Sequence, residues 1–166
     1  MVKHSSRIEL NQIAYKGNIN FIRKKIGEKP ILSSVVKANA YGHGIEVFVP
    51  MAEKCGINHF SVASSYEAEQ VLSVCRPDSH ILIMGIIYEE DLGWAISNGI
   101  AFFVYNFNRL AKVLEAAKKV DKKAKVHLEV ETGANRTGMQ ANEFPKALSY
   151  LKQHQDWLIF EGLCTH

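Results

Sequence analysis

A lysine followed by a run of small and aromatic residues has the clearest chemical potential in the sequence. Residues 36 to 44 read Val-Lys-Ala-Asn-Ala-Tyr-Gly-His-Gly, and the lysine, Lys37, ends a predicted strand over Ile31–Lys37. A charged group at the mouth of a sheet is costly unless something uses it. Burial can lower the pKa of a lysine by ~3 to 5 units, which frees the neutral amine to attack a carbonyl. Lys37 is therefore a candidate nucleophile.

The residues after Lys37 are suited to binding a ligand. The hydroxyl group of Tyr41 can donate a hydrogen bond to a phosphate oxygen, and Gly42 and Gly44 allow the backbone to approach a ligand closely. These glycines do not form the dinucleotide-binding G-x-G-x-x-G pattern, because position 47 is valine. The alternative for Lys37 is a salt-bridged lysine at a strand end without a chemical role.

A second polar segment, from residue 129 to residue 139, follows another predicted strand. Strand alternation predicts that His127, Glu129 and Glu131 share one face, while the intervening apolar residues face the helices. A turn bracketed by two glycines can then present Arg136, whose guanidinium binds oxygen ligands in a fixed fork. We expect both carboxylates and Arg136 to point toward the same mouth. An exposed carboxylate pair on an edge strand is the alternative.

The last six residues form a third candidate segment. They end in Thr165-His166, directly after an apolar run, so His166 is also predicted at the end of a strand. A histidine titrates near neutral pH and can hydrogen-bond a cofactor or another side chain. A solvated or structural histidine is the alternative.

Predicted strands and helices alternate along the whole chain. Short apolar runs predict six strands, at Ile31–Lys37, Phe60–Ala63, Ile81–Met84, Ala101–Val104, Val126–Glu131 and Leu158–Thr165. Helical spacing predicts helices at Ile8–Gly27, His43–Cys55, Ser65–Cys75, Glu89–Asn98, Asn106–Val120 and Asn142–His154. The alternation predicts a parallel α/β sheet, closed as a barrel or open and doubly wound. A (β/α)₈ barrel typically needs ~250 residues. We therefore expect residues 1–166 to form part of such a TIM-type barrel, without an internal domain boundary.

The three chemical segments resemble the signature motifs of the alanine racemase family, and Arg7-Ile8-Glu9-Leu10 is similar to the family's opening segment. The resemblance extends across essentially the whole chain. It implies a barrel domain that binds pyridoxal 5'-phosphate as a Schiff base on Lys37, with Lys37 also serving as one of two catalytic bases. It further implies that Tyr41 contacts the phosphate and that Arg136 approaches the phenolic oxygen of the cofactor and positions the substrate.

The resemblance assigns a supporting role to His166 and marks two departures from the family pattern. In relatives this histidine helps to hold an arginine that faces the pyridine nitrogen, and that arginine would lie beyond residue 166. Glu129 stands where the family commonly has a lysine, which in several members is carbamylated to an anion. Glu129 is therefore expected to supply the negative charge beside Arg136 directly. Ala134 stands where methionine is more usual, so the substrate pocket is expected to differ in detail.

The implied reaction is racemisation of a small amino acid, with conversion of L-alanine to D-alanine favoured and serine the next choice. The second base in the family is a tyrosine from a further domain, and family members are usually head-to-tail homodimers. This chain by itself is therefore expected to be a poor racemase. Two alternatives stay open: a related barrel enzyme that uses the cofactor for decarboxylation or aldol cleavage, and a module that binds pyridoxal phosphate without turnover.

The composition is that of an ordinary globular protein, with a formal net charge of +3 from 20 basic and 17 acidic residues that are interspersed. The basic cluster from Lys118 to Lys125 lies where a helix should end, so neither nucleic acid nor a membrane is expected as a partner. The three cysteines are widely spaced, and no metal pattern involves the remaining histidines, His4, His59, His80 and His154. Without a signal-length or membrane-length apolar stretch, we expect a cytoplasmic protein.

Overall fold

The computed structural model describes residues 6 to 166, so His4 lies outside the described residues. The strands are β1 (Ser34–Val35), β2 (His59–Val62), β3 (His80–Ile83), β4 (Ala101–Val104), β5 (Ala124–Val130) and β6 (Leu158–Thr165). The helices are α1 (Gln12–Ile26), α2 (Lys37–Tyr41), α3 (Ile45–Lys54), α4 (Ser65–Val74), α5 (Glu89–Ser97), α6 (Phe107–Val120) and α7 (Phe144–Gln153). Strands and helices therefore alternate as the sequence predicts.

The six strands form one parallel sheet whose spatial order equals their order in the chain. A doubly wound sheet reverses its strand order at a switch point, whereas a barrel adds each strand beside the previous one. The observed order is that of a barrel. No pairing within residues 6 to 166 joins β6 to β1, so the sheet is not closed. The prediction of a partial (β/α)₈ barrel is confirmed.

Alternate strand residues build the hydrophobic core between the sheet and its helices. The fully buried strand residues of this core are Phe60, Val62, Ile83, Phe102, Val104, Ala124, Val126 and Leu128. They pack with buried helix residues, among them Val49 of α3 and Leu110 of α6. Because successive strand residues point to opposite faces, the other face of the sheet is left to a different set of side chains. Ser61 and Glu129 are buried polar residues on that face.

A bulge in β6 decides which of its residues lie beside the end of β5. Val126 is paired with Phe160, but His127 is paired with Gly162, so β6 contains one extra residue at this point. A Cβ atom on Gly162 would lie 2.7 Å from Nδ1 of His127, so a larger residue there would require the His127 ring to move. After the bulge, Cys164 is the neighbour of Glu129.

The helix ends follow from local capping. Asn11 precedes α1 and accepts a hydrogen bond from the N–H of Ala14 at 2.9 Å, so the helix begins later than the predicted Ile8. Gly27 ends α1 with φ of 81°, as predicted for a helix stop. The basic cluster does begin in the last turn of a helix, because α6 ends at Val120.

β1 is much shorter than the predicted strand over Ile31–Lys37. Only Ser34 and Val35 pair with β2 in the ladder. The physical reason is that Val36 leaves the extended conformation, with φ of −122° and ψ of 19°, and the chain then turns sharply.

Several large apolar side chains stay exposed along α1 and the two outer strands. Ile13 is 86% exposed although its spacing contributed to the helix prediction, and Ile19 is the one buried residue of α1. Phe160 and Leu163 of β6 are also exposed. Within residues 6 to 166, no helix has both the length and the apolarity that crossing a bilayer requires.

Histidines collect at the amino ends of the strands, in a cavity of about 310 Å³. The rings of His59 and His80 stack with 6.3 Å between centroids, and Nε2 of His127 lies 3.5 Å from a carboxylate oxygen of Glu161. Lys125 lines the same cavity. Burial lowers the pKa of His59 from its ordinary value of 6.5, His80 and His127 lower it further, and Glu161 opposes the shift.

We predict that this lowered pKa makes the fold sensitive to mild acid. Above pH 6.5 both folded and unfolded chains hold His59 neutral, whereas below it the unfolded chain binds a proton that the folded chain resists. Stability should therefore fall as the pH decreases through 6.5. Urea unfolding between about pH 5 and 8 should show a weaker pH dependence for His59→Gln than for the wild type. Identical pH dependence in the two proteins would contradict this assignment.

Candidate active site

A cavity of about 190 Å³ lies at the carboxyl ends of the strands, opposite to the histidine-lined end. Each of the six strands contributes a residue to its wall, either from the strand itself or from the two positions after it. The wall consists of Lys37, Ala63, Met84, Gly85, Phe103, Glu129, Arg136, Thr165 and His166. In parallel β/α barrels this end of the strands holds the active site. The wall combines an amine, a guanidinium, a carboxylate and an imidazole with apolar surface.

A larger groove of about 360 Å³ lies on the outside of the molecule, between α4 and α5. Its lining residues are Ser65, Tyr66, Glu69, Asp91 and Trp94. This groove offers carboxylates and hydroxyls without a basic side chain. The smaller cavity at the strand ends is the better candidate because of its chemistry.

Lys37 is half-buried at the point where the chain leaves the sheet. The N–H of the preceding residue, Val36, still donates to the carbonyl of Ser61 at 2.8 Å, so contact with β2 continues up to the lysine. The next four residues, 38 to 41, all have positive φ, between 51° and 55°. The helix predicted over His43–Cys55 is α3, which starts at Ile45, and the turn that precedes it is left-handed. For residues with a Cβ this conformation costs roughly 1–2 kcal/mol each.

Hydrogen bonds within the segment hold this left-handed turn. The side chain of Asn39 accepts from the N–H of Ile45 at 2.8 Å, and Nδ1 of His43 donates to the carbonyl of Ala40 at 2.7 Å. Gly42 and Gly44 have φ of 86° and 88°, and a Cβ at either position would meet nothing within 4 Å. Both glycines therefore meet a need for positive φ, and the close approach of the backbone to a ligand stays a prediction.

Tyr41 ends the left-handed turn, and its side chain is 60% exposed. It is absent from the residues that line the cavity. The structure therefore brings Lys37, Glu129, Arg136 and His166 together at one cavity, whereas Tyr41 stands at its outside.

Glu129 is the most deeply buried charged residue of the site, with 2% of its surface exposed. Its Oε1 atom accepts a hydrogen bond from the hydroxyl of Thr137 at 3.0 Å. β5 lies between β4 and β6, so the alternative of an exposed carboxylate on an edge strand is wrong for Glu129. Among the described side chains, no ion pair within 4.0 Å joins Glu129 to Arg136. Glu129 therefore contacts the segment around Arg136 through Thr137.

Two weak acids surround Glu129 and remain protonated. Burial raises the pKa of Cys164 to about 12, and the nearby charge of Glu129 adds to this effect. Burial also raises the pKa of Tyr105, again with a contribution from Glu129. The hydroxyl of Tyr105 donates to the carbonyl of Met84 at 2.9 Å. Neither neighbour places a second negative charge beside Glu129 at neutral pH.

The loop that carries Arg136 is held by its own backbone contacts. Gly133 and Gly138 have φ of 123° and 122°, and a Cβ on Gly138 would lie 2.5 Å from the backbone nitrogen of Glu131. The carboxylate of Glu131 accepts the N–H of Gly133. Hydrogen bonds from the backbone of Asn135 and Gly133 lower the pKa of Glu131. Glu131 therefore folds into the loop, and the prediction that both carboxylates face the mouth is wrong for this residue.

Arg136 and His166 meet at the rim of the cavity. Nη2 of Arg136 donates to Nδ1 of His166 at 2.8 Å. Because arginine has only donors, this ring nitrogen must be the unprotonated acceptor. The sequence led us to expect that His166 contacts a different arginine, beyond residue 166. In the structure the arginine beside His166 is Arg136.

Comparison with known proteins finds similarity over nearly the whole chain. The family model described as alanine racemase, N-terminal domain, matches residues 9–166. The chain belongs to the alanine racemase family. A curated alanine racemase from Francisella tularensis is 34% identical over 159 residues, which are 96% of this chain and 42% of that protein.

Solved structures of alanine racemases and of a related enzyme have the same fold. An alanine racemase from Clostridium difficile is 30% identical, with a TM-score of 0.81, and the match covers 91% of this chain and 41% of that one. A histidine racemase from Leuconostoc mesenteroides is 26% identical, with a TM-score of 0.85, over 93% of this chain and 42% of that one. The chain therefore spans less than half the length of these members of the alanine racemase family.

Five wall residues were not identified as site residues from the sequence of this alanine racemase family member: Ala63, Met84, Gly85, Phe103 and Thr165. Strand parity places Phe103 on the face opposite to the buried Phe102, and this parity could have marked it as a wall residue. No sequence signal marks Gly85, where a Cβ would lie 1.9 Å from the carbonyl oxygen of Ala63.

Within residues 6 to 166, no group of three or more histidine, cysteine or acidic side chains is arranged to hold a metal ion.

We predict that Thr137 stabilises the fold through its hydroxyl group. Thr137→Val keeps the shape of the side chain but removes the hydrogen bond to the buried carboxylate of Glu129. Loss of a hydrogen bond to a charged group should lower the free energy of unfolding by about 1.5–3 kcal/mol. Thr137→Ser keeps the hydroxyl and is the matched control, so urea unfolding should show a much smaller loss. Equal losses in the two variants would show that the hydrogen bond is not responsible.

Proposed function

We propose that this chain is the cofactor-binding part of a pyridoxal-phosphate-dependent amino-acid racemase, which converts L-alanine to D-alanine. The observation that carries the proposal is the meeting of Lys37, Arg136, Glu129 and His166 at one cavity on the carboxyl side of a parallel sheet. Membership of the alanine racemase family supports the same conclusion. In this proposal, residues 1–166 form the N-terminal portion of the cofactor-binding barrel domain.

The wall residues fit pyridoxal phosphate. The aldehyde group of the cofactor would condense with an amine, and Lys37 provides a half-buried amine in the wall. Phe103 and Met84 offer apolar surface to an aromatic ring, and the guanidinium of Arg136 offers donors to its phenolic oxygen. Tyr41 stands outside the wall and could reach a phosphate at the rim. When bound, the cofactor supplies the sink for the electrons that remain after a substrate loses its Cα proton.

Lys37 has two roles in this proposal. Its amine is the attachment point for the cofactor, and it moves a proton at the Cα atom of the substrate on one face. A base that acts from one fixed wall of the cavity reaches only one face of the substrate. A second group must act from the opposite face, and the resemblance assigns it to a tyrosine of a further domain in a head-to-tail homodimer.

Arg136 and its neighbours orient the reactants. The guanidinium can bind a substrate carboxylate or the cofactor oxygen, and His166 limits its movement by accepting one of its N–H groups. Glu129 contributes by holding Thr137, the next residue in the loop. The carboxylate of Glu129 thereby takes the place of the modified lysine that several relatives use, and its charge acts near Arg136 without a direct ion pair.

Alanine is the proposed substrate because the curated relatives that match are alanine racemases. A protein described as a histidine racemase has the same fold, so the fold alone does not identify the amino acid. Ala134, which stands where the family more usually has methionine, lies on the exposed loop before Arg136 and does not line the cavity.

We predict that Lys37 is the lysine that pyridoxal phosphate modifies. Borohydride reduction of the protein mixed with pyridoxal phosphate, followed by peptide mass analysis, should find the adduct on the peptide that contains Lys37. Lys37→Arg keeps the charge but should abolish this adduct. Lys54→Arg, at the exposed end of α3, is the matched control and should not change it. An adduct on another lysine in the wild type would overturn the assignment.

We further predict that the chain exchanges the Cα proton of alanine when pyridoxal phosphate is present. In heavy water, NMR should detect deuterium uptake into one enantiomer of alanine faster than into the other, because Lys37 acts from one face. Lys37→Arg should abolish the faster uptake. A barrel that binds the cofactor without turnover would exchange neither enantiomer above the rate of free pyridoxal phosphate, and that result would contradict racemase chemistry.

A further inference from the structure

One carboxylate, that of Glu67, accepts hydrogen bonds from two backbone positions beside the site. The N–H of Ala38 donates to Oε1 at 2.7 Å, and the N–H of Ala63 donates to Oε2 at 2.7 Å. Ala38 directly follows Lys37, and Ala63 lines the cavity. Glu67 therefore joins the ends of β1 and β2 next to the amine.

These contacts differ from what the position of Glu67 in its helix predicts. Ser64 caps α4, and its hydroxyl accepts the N–H of Glu67 at 3.2 Å. In the usual capping box, a glutamate at this position bonds back to the N–H of the cap residue itself. Glu67 bonds to the residue before Ser64 and to Ala38 on another element. The carboxylate of Glu67 therefore connects the segments that follow β1 and β2.

The far side of Ala63 is also fixed. Its carbonyl oxygen lies so close to Gly85 that a Cβ there would be 1.9 Å away. Gly85 follows β3 and lines the same cavity. Ala63 is thus confined between Glu67 and Gly85. Because Glu67 also bonds to Ala38, the backbone beside Lys37 is connected to the ends of β2 and β3 as well as to β1.

Ala38 is also the first residue of the left-handed turn. Residues with a Cβ leave this conformation unless other contacts hold them. The bond between Ala38 and Glu67 is the contact from this turn to a side chain of α4. If it were lost, the backbone on the carboxyl side of Lys37 could relax, and the direction of the lysine side chain would change with it.

We infer that Glu67 is a positioning residue for Lys37, whose carboxylate holds the backbone of Ala38 against Ala63 so that the amine stays directed into the cavity. This inference rests on the proposed function of Lys37 and extends it to a residue outside the cavity wall.

The experiment compares Glu67→Gln with the wild type in two measurements. The N–H groups of Ala38 and Ala63 bond to different oxygens of Glu67, and Glu67→Gln replaces one of these oxygens with an NH2 donor, so one of the two hydrogen bonds is lost. Hydrogen exchange in the protein without cofactor should become about tenfold faster at these two amides. Borohydride trapping of pyridoxal phosphate on Lys37 should become about tenfold slower, because small displacements of a reacting group have large effects on rate.

Glu69→Gln is the matched control, because it removes the same charge from an exposed position of the same helix. It should leave both measurements unchanged. Glu67→Asp keeps the charge but is shorter, so it should give intermediate rates, and it replaces Glu67→Gln if circular dichroism shows that the latter does not fold.

The outcomes separate the inference from the function on which it rests. Trapping on Lys37 in the wild type, with an unchanged trapping rate and unchanged exchange in the Glu67 variants, would overturn the positioning role alone. A wild type that is not trapped on Lys37 would overturn the proposed function, whatever the exchange rates. Equal effects of Glu67→Gln and Glu69→Gln would also overturn the inference, since charge rather than the two hydrogen bonds would then be responsible.

Discussion

The parallel register of the six strands is the constraint on which the site depends. Each strand presents one set of residues to the helices and the alternate set to the opposite face, and all six strands end at the same edge. The apolar set is large enough to form the core. Side chains of the other set, together with the residues just after each strand, are therefore free to be polar. Lys37, Glu129 and His166 are distant in sequence and become neighbours at the cavity for this reason.

The buried carboxylate of Glu129 shows how the fold maintains a charge in this position. A buried charge is tolerated only with partners, and Thr137 supplies a hydroxyl donor. The bulge at Gly162 brings Cys164 beside Glu129 in place of the preceding leucine. Burial keeps that thiol protonated, with its pKa raised to about 12, so the bulge does not create a repulsive pair.

The segment after Lys37 stores unfavourable backbone conformation at the site. Four successive residues with positive φ would not persist in an isolated peptide, and they are held by Asn39, His43 and Glu67. The arrangement resembles that of Arg136, whose loop is held by Gly138 and the carboxylate of Glu131. In both cases a side chain of the cavity wall lies on an irregular segment, and residues outside the cavity hold the backbone of that segment.

The sequence by itself determined the alternation of strands and helices, the parallel barrel class and the identity of the main chemical segments. These follow from hydrophobic periodicity and from residue types, which are local properties of the chain. Strand parity also placed Glu129 correctly, because alternation in a strand is geometric.

Only the tertiary structure decided the contacts between segments. The left-handed turn after Lys37, the inward fold of Glu131 and the contact of Arg136 with His166 all depend on groups that are far apart in the sequence or on backbone torsions that residue types do not specify. The same is true of Glu67, whose spacing from Ser64 predicts an ordinary helix cap. Its partner Ala38 lies 29 residues earlier, and only the pairing of β1 with β2 brings the two together.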